Sequence, residues 1–204
     1  MKLITLDIKD LYTNLPTQGI IQTANFWLHK NAYNIEETKQ IGTLLQTIME
    51  QNYFQYNNLF YKPKEGVAMG SPRSGTLAEL YLQRIENDYI KQWIDSEEIH
   101  YYKRYVDDII IFININKIQE EQLLQGINRI EQNLTFKLTA EDNNKINFLD
   151  LTITRKINKL EIGIYRKETN TDTVIDCLSN HPTEQKMAAF GCYINRLVTL
   201  PITQ

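Results

Sequence analysis

The sequence predicts an α+β domain in which an antiparallel sheet is backed by helices. Three observations carry this. Strand-like runs recur at residues 3–8, 101–113, 135–139, 146–154 and 160–165, with a two-residue apolar period in 3–8, 149–153 and 160–164. Stretches with apolar residues every three or four positions lie between them. The resulting order is strand, helix, helix, hairpin, helix, hairpin, helix, hairpin, which suits an antiparallel sheet with helices packed on it.

Within residues 3–8, Ile4, Leu6 and Ile8 share one face and Thr5 and Asp7 the other, so the strand turns a polar face toward a site. After a turn at Asn14-Leu15-Pro16, Thr17 is the expected cap of a helix whose Ile20, Ile21, Ala24, Trp27 and Leu28 form one stripe. Asn34 with Glu37 three residues later reads as a capping box, followed by Ile41, Leu44, Leu45 and Ile48 at helical spacing. Residues 53–56 and 59–62 flank Asn57-Asn58, a pair that tolerates the left-handed backbone of a tight hairpin. A glycine- and proline-bearing loop at 62–72 opens a long helix that buries Leu77, Leu80, Tyr81, Ile85 and Trp93. Two strands within 101–113 meet at Asp107-Asp108. A helix over 119–134 uses Leu123, Leu124, Ile127 and Ile130, and strands follow at 135–139, 146–154 and 160–165. Pro182 starts a last helix reaching Leu200. The strands from Ile4 to Ile164 are expected to pair into one sheet.

Composition narrows the function. With 42% hydrophobic and 23% charged residues, the 204-residue chain can bury about 70% of its unfolded surface, so it is neither disordered nor fibrous. Lys plus Arg is 22 and Asp plus Glu is 25, and a net charge of −3 excludes a protein that holds nucleic acid by bulk positive charge. The longest apolar run, 109–113, is far too short to span a membrane, and the Met1-Lys2 start is no signal peptide. An intracellular chain, nuclear or cytoplasmic and without a membrane partner, is the expectation. Cys177 and Cys192 read as ordinary core thiols, and His29, His100 and His181 lack the paired spacing of a metal site.

The chemistry concentrates on Asp107 and Asp108, adjacent carboxylates between Tyr105-Val106 and the apolar run 109–113. Like charges this close disfavour ionisation unless a cation neutralises them. Asp7 leaves a strand that converges on the same edge of the sheet. Three carboxylates from two strands suit hard divalent cations, which take oxygen ligands and keep positions for water and substrate phosphates. Two-metal phosphoryl transfer is the implied reaction, with ions about 4 Å apart and the three carboxylates in one ion-binding cluster. Asp10 points elsewhere, into the turn.

Four ordered segments then make a resemblance specific: Leu6-Asp7-Ile8-Lys9-Asp10-Leu11-Tyr12-Thr13-Asn14-Leu15-Pro16, Met69-Gly70-Ser71-Pro72, Arg104-Tyr105-Val106-Asp107-Asp108-Ile109 and Asn147-Phe148-Leu149-Asp150. They resemble the palm motifs of reverse transcriptases. Residues 77–83, 165–172 and 179–182 resemble the Penelope-like retroelement polymerases in particular. The resemblance implies the palm sheet of a right-hand polymerase over 1–154, with the start of the primer-grip hairpin. It also implies a palm-to-thumb connection and short helical thumb portion over 155–204. It makes Asp7, Asp107 and Asp108 the catalytic metal ligands for two Mg²⁺ ions, or Mn²⁺, with the carbonyl of Ile8 an extra ligand. Tyr12 is then the bulky residue under the sugar, Gly66, Gly70, Ser71 and Pro72 the loop at template and nucleotide, and Phe148, Leu149 and Asp150 the primer grip. The implied partners are an RNA template, a DNA primer and deoxynucleoside triphosphates, and the implied activity is RNA-directed DNA polymerisation.

The sequence also departs from the family. It opens on the first catalytic strand, so a fragment without fingers is expected. Arg73 stands where the family has a neutral residue, and the thumb is short. A catalytically inactive remnant that only binds nucleic acid, or serves structurally, is the rival reading. An RNA-templated RNA polymerase is disfavoured by Tyr12, and Gly163-Ile164-Tyr165 lacks the companion residues of an endonuclease.

Overall fold

The computed structural model describes residues 1–169, 171 and 173–200. Asn170 and Asp172 of the 165–172 segment, and residues 201–204, lie outside the described residues. The elements run β1 (Lys2–Lys9), α1 (Leu11–Asn14), α2 (Thr17–Lys30), α3 (Ile35–Glu50), β2 (Phe54–Tyr56), β3 (Leu59–Tyr61) and α4 (Ser74–Ile85). A π-helical turn (Glu86–Ile90) leads into α5 (Lys91–Asp95), then β4 (Ile99–Tyr105), β5 (Asp108–Ile113), α6 (Glu120–Ile130) and β6 (Thr135–Ala140). The chain ends with β7 (Lys145–Phe148), β8 (Leu151–Arg155), β9 (Leu160–Ile164) and α7 (Thr183–Thr199).

The antiparallel α+β class holds, but the strands form three sheets instead of one: β4-β5-β1-β6, β2-β3 and β7-β8-β9. The break after β6 has a local cause. Asn143 and Asn144 take left-handed backbone, φ 49° and 60°, and turn the chain back between Asp142 and Lys145. Two compact units result, Met1–Ala140 and Glu141–Gln204. The boundary thus precedes the expected one at 154/155, which would cut β8 away from its partner β9.

In the first unit β1 is central, antiparallel to β5 on one side and to β6 on the other. Its alternation is that of the sequence. Ile4, Leu6 and Ile8 are at most 1% exposed and pack with Ile109, Ile111, Phe136 and, from the helices, Tyr81, Leu82, Leu123 and Ile127. Each such side chain contributes about 1.5–3 kcal/mol relative to exposure. One face of the sheet is thereby committed to helices, and Asp7 falls on the other.

Local signals were obeyed unevenly. Asn34 and Glu37 form the capping box: the Glu37 amide donates to Asn34 Oδ1 at 2.8 Å, and the Asn34 amide to Glu37 Oε2 at 3.0 Å. Asn34→Ala should therefore destabilise the fold by about 1 kcal/mol, lowering the melting temperature by about 2–4 °C; an unchanged thermal midpoint would show that α3 does not depend on its cap. Thr17 is not the cap of α2. Pro16 occupies that position, and the Glu65 carboxylate accepts from the Thr17 amide at 3.0 Å, so a distant side chain does the work expected of a local one. The apolar stripe of α3 is not core-facing either, since Thr38 is its buried residue and Leu44 is exposed. Helix α6 stops at Ile130, short of the expected 134, where Glu131 turns extended and its carboxylate accepts from the Tyr81 hydroxyl.

The second unit is a three-stranded meander followed by α7, and it leaves Cys177 and Cys192 exposed instead of in a core. The expected strand 146–154 is split by a turn at Leu149 and Asp150, with Leu149 left-handed at φ 53°. Arg155 clamps the Glu141 carboxylate, with Nε 3.1 Å from both oxygens. Among the described residues no helix is long and apolar enough to cross a membrane.

Candidate active site

Pairing of β1 with β5 sets Asp7 directly opposite Asp108. The same position of β1 faces Lys137 on β6, and Asp108 faces Tyr105 on β4. One row across the sheet therefore reads Tyr105, Asp108, Asp7, Lys137, on the face turned away from the helices. The Ile8 amide donates to the Asp107 carbonyl at 3.0 Å, which makes Asp7 and Asp108 the closer, non-hydrogen-bonded kind of pair, with Cα atoms about 4.5 Å apart. Two carboxylates directly opposite repel each other, so the arrangement favours a bound cation.

The hairpin linking β4 and β5 turns at Val106 and Asp107, one residue earlier than the sequence suggested. Val106 has φ 56°, a conformation that a β-branched side chain rarely takes. Beneath it lies Arg104, whose side chain is only 6% exposed. Its Nη1 and Nη2 donate to the Glu79 carboxylate at 2.8 and 3.1 Å, and Nε and Nη2 to Glu86 at 2.6 and 3.3 Å. Nη1 also reaches the Val106 carbonyl at 3.3 Å. Burial works against the Arg104 charge, but the two carboxylates outweigh it and hold the guanidinium more firmly protonated than usual. The hydrogen bond from Arg104 in turn holds the Glu79 carboxyl below its ordinary range. Tyr102, its hydroxyl on Glu86 at 2.9 Å, is pushed up by burial and by that carboxylate.

Residues 66–72 are tied to α1. The Val67 amide donates to the Tyr12 carbonyl at 2.7 Å and the Gly66 amide to the Leu15 carbonyl at 3.1 Å. Tyr12 itself is half-buried, leaning on the core. Gly66, at φ 86°, passes so close that a Cβ would lie 2.6 Å from the Thr13 carbonyl oxygen. Gly70 is also left-handed, at φ 85°, but lies in open space. The Ser71 amide donates to the Ala68 carbonyl at 3.2 Å, and Ser74 Oγ to the same oxygen at 2.6 Å, so the loop folds directly into α4. Pro72 is exposed between them. Asp10, left-handed at φ 50° and exposed, lies in the turn before α1, as expected. In the second unit, Phe148 ends β7 opposite Leu151, Leu149 and Asp150 form the tight turn to β8, and Arg196 of α7 donates to Asp150 Oδ1 at 2.8 Å.

A family model described as reverse transcriptase (RNA-dependent DNA polymerase) matches residues 2–158. The chain belongs to the reverse transcriptase family. The family's reaction is RNA-directed DNA polymerisation, a nucleotidyl transfer. No curated protein sequence matches significantly. Among solved structures, the telomerase of Candida tropicalis in complex with a fragment of telomeric RNA superimposes with a TM-score of 0.66 at 15% identity, covering 97% of this chain and 34% of that one. Its apo form gives 0.61 at 15% identity over 75% and 31% of the two chains. The telomerase of Candida albicans, also with a telomeric RNA fragment, gives 0.58 at 16% identity over 78% and 31%. These likenesses establish a shared fold, and this chain spans about a third of the telomerase chains it matches.

In this reverse transcriptase domain the structure brings Asp7 and Asp108 face to face, with Asp107 in the adjoining turn and Ile8 bonded to it. It ties Tyr12 to the loop that carries Gly70, Ser71 and Pro72. The three carboxylates do not form the ready cluster expected: among the described residues no three His, Cys, Asp or Glu side chains are drawn together as a metal cage. Asp107 occupies the turn and Asp108 the strand, so the pleat does not aim neighbouring side chains the same way, and like charges stay apart. The donor set nonetheless fits divalent ions. It is all oxygen, and among the described residues the side chains of Asp7 and Asp107 make no hydrogen bond or ion pair. Sequence reasoning missed Arg104, Glu79, Glu86 and Lys137 as parts of the site. A signal existed: Arg104 shares the period-two face of Tyr102, opposite Ile109 and Ile111, where a charge must find a partner.

Proposed function

We propose that the chain is the palm-centred part of an RNA-directed DNA polymerase of the Penelope-like retroelement kind, adding deoxynucleotides to a DNA primer on an RNA template by two-metal nucleotidyl transfer. The observation that carries this reading is the pairing of Asp7 with Asp108 beside Asp107, on the free face of the sheet. Asp7, Asp107 and Asp108, with the Ile8 carbonyl, are the groups that would hold Mg²⁺ or Mn²⁺. When bound, such ions supply activation of the primer 3′-oxygen and neutralisation of the pyrophosphate that leaves. The chain's own residues do the positioning. Lys137, beside Asp7, offers a cation to the triphosphate, and the 66–72 loop lets backbone approach the nucleotide; the 148–150 turn of the second unit is assigned as primer grip on the family resemblance alone. Substrates of this class place the reaction inside the cell, nuclear or cytoplasmic.

Primer extension on an RNA template with deoxynucleoside triphosphates and Mg²⁺ tests the reading. Template-dependent incorporation that is poor or absent with the bare chain, restored in a chimera carrying a related fingers segment and lost there in Asp7→Asn, is expected; no incorporation by the chimera, or incorporation that survives the substitution, overturns it. Tyr12 is the proposed steric gate under the sugar. In the chimera, Tyr12→Ala should admit ribonucleotides while deoxynucleotide addition persists, because removing a clash changes discrimination more than it changes binding. The ratio of kcat/KM for the two sugars measures this, and an unchanged ratio would retire the gate assignment.

A further inference from the structure

We propose that Arg104 is the positioning residue of the Asp107 turn, a tie between the strained hairpin and the helix behind it. The inference rests on the reading of Asp107 as a metal ligand. A guanidinium has five N–H donors, and in Arg104 all five bonds are made: four to the carboxylates of Glu79 and Glu86 and the fifth to the Val106 carbonyl.

The target of that fifth bond matters. Val106 is β-branched and left-handed, and such a backbone persists only where its surroundings over-determine it. Two carbonyls of the turn are held from opposite sides, Val106 by Arg104 from β4 and Asp107 by the Ile8 amide from β1. Glu79 sits on α4 and Glu86 on the π-helical turn, so the guanidinium is anchored to two successive segments of one long helix. The Tyr102 hydroxyl steadies Glu86 as well. Asp107 thus inherits its placement, through Arg104, from the helix that carries Glu79 and Glu86. A lysine retains the charge but not the fork, and it cannot span two carboxylates and a carbonyl at once.

The test is amide hydrogen exchange on the metal-free chain, read at Ile8, Leu6 and Ile4. In Arg104→Lys, freeing the turn should speed exchange at the Ile8 amide by about tenfold or more, while Leu6 and Ile4, opposite Ile109 and Ile111, change far less. A merely structural arginine would speed all three alike, and that outcome, or no change at Ile8, overturns the proposal. Mn²⁺ titration followed by electron paramagnetic resonance supplies the second reading. Arg104→Lys should weaken binding by roughly tenfold or more, as loss of a ligand's supporting partner does, whereas Asp107→Asn should remove it. Unchanged Mn²⁺ affinity in Arg104→Lys, with binding lost in Asp107→Asn, overturns the positioning role alone. Mn²⁺ binding that survives Asp107→Asn overturns the metal reading instead. Should Arg104→Lys fail to fold, Glu79→Gln, at a half-exposed carboxylate, must shift both readings in the same direction by less, and no shift overturns the proposal.

Discussion

Asp107→Asn is expected to abolish the stabilisation of the chain by Mg²⁺ or Mn²⁺ and to lower primer extension by roughly a thousandfold or more. An ion that binds only the folded state stabilises it by mass action, by about 2.7 kcal/mol at a hundredfold excess over Kd, and so raises the melting temperature. Charge neutralisation by a bound ion is worth several kcal/mol in the transition state, and each 1.4 kcal/mol is about tenfold in rate. Without metal the sign differs. The substitution removes one of three neighbouring like charges, from a side chain that makes no hydrogen bond or ion pair among the described residues, so the metal-free variant should melt at or above the parent temperature. Thermal scans with and without Mn²⁺ separate the two effects. A metal-dependent rise equal to that of the parent would remove Asp107 from the site.

Gly66→Ala is expected to produce the largest loss of stability among single substitutions in the 66–72 loop. Its φ of 86° costs an L-residue about 1–2 kcal/mol. The new Cβ would also meet Thr13 backbone at 2.6 Å, which must shift. Together these come to about 3 kcal/mol, or a melting temperature roughly 6–12 °C lower. Gly70→Ala makes the control. It carries the same backbone penalty at φ 85° but meets nothing within 4 Å, so it should fall by roughly half as much. Equal losses at the two positions would mean that the contact of Gly66 with α1 is not what fixes the loop.

Much of this was legible in the sequence, for physical reasons that differ by element. The site-bearing strand could be read because a period of two has only two faces: placing Ile4, Leu6 and Ile8 inside forces Asp7 out. The capping box at Asn34 could be read because both partners are three residues apart. The cap of α2 could not, since its acceptor, Glu65, lies 48 residues from Thr17. The apolar stripe of α3 has helical spacing, yet spacing does not say whether a partner exists. Arg104 was visible as part of a motif but not as a hub, because Glu79 and Glu86 reach it only once α4 lies across the sheet. The split of 146–154 turns on Leu149, a residue type that gives no hint of left-handed backbone.

The central position of β1 bears on how the chain comes to be folded during synthesis. The strand is made well before its partners, and the neighbour at its far edge, β6, follows roughly 130 residues later. At about 5–20 residues per second, translation alone leaves β1 for roughly 6–25 s without that neighbour. For most of that interval it has no partner on either side, because β5 is also made late. A short isoleucine- and leucine-rich strand with both edges open is a template for wrong pairing. Helices α1 to α4 emerge in the meantime, and Tyr81 and Leu82 of α4 are among the residues that finally cover Ile4, Leu6 and Ile8. Early docking of β1 on these nascent helices would shield it, and Asp7 would then meet Asp108 only once β5 had followed, roughly 100 residues later. The candidate site therefore cannot form until β5 has left the ribosome, although its first strand was made long before.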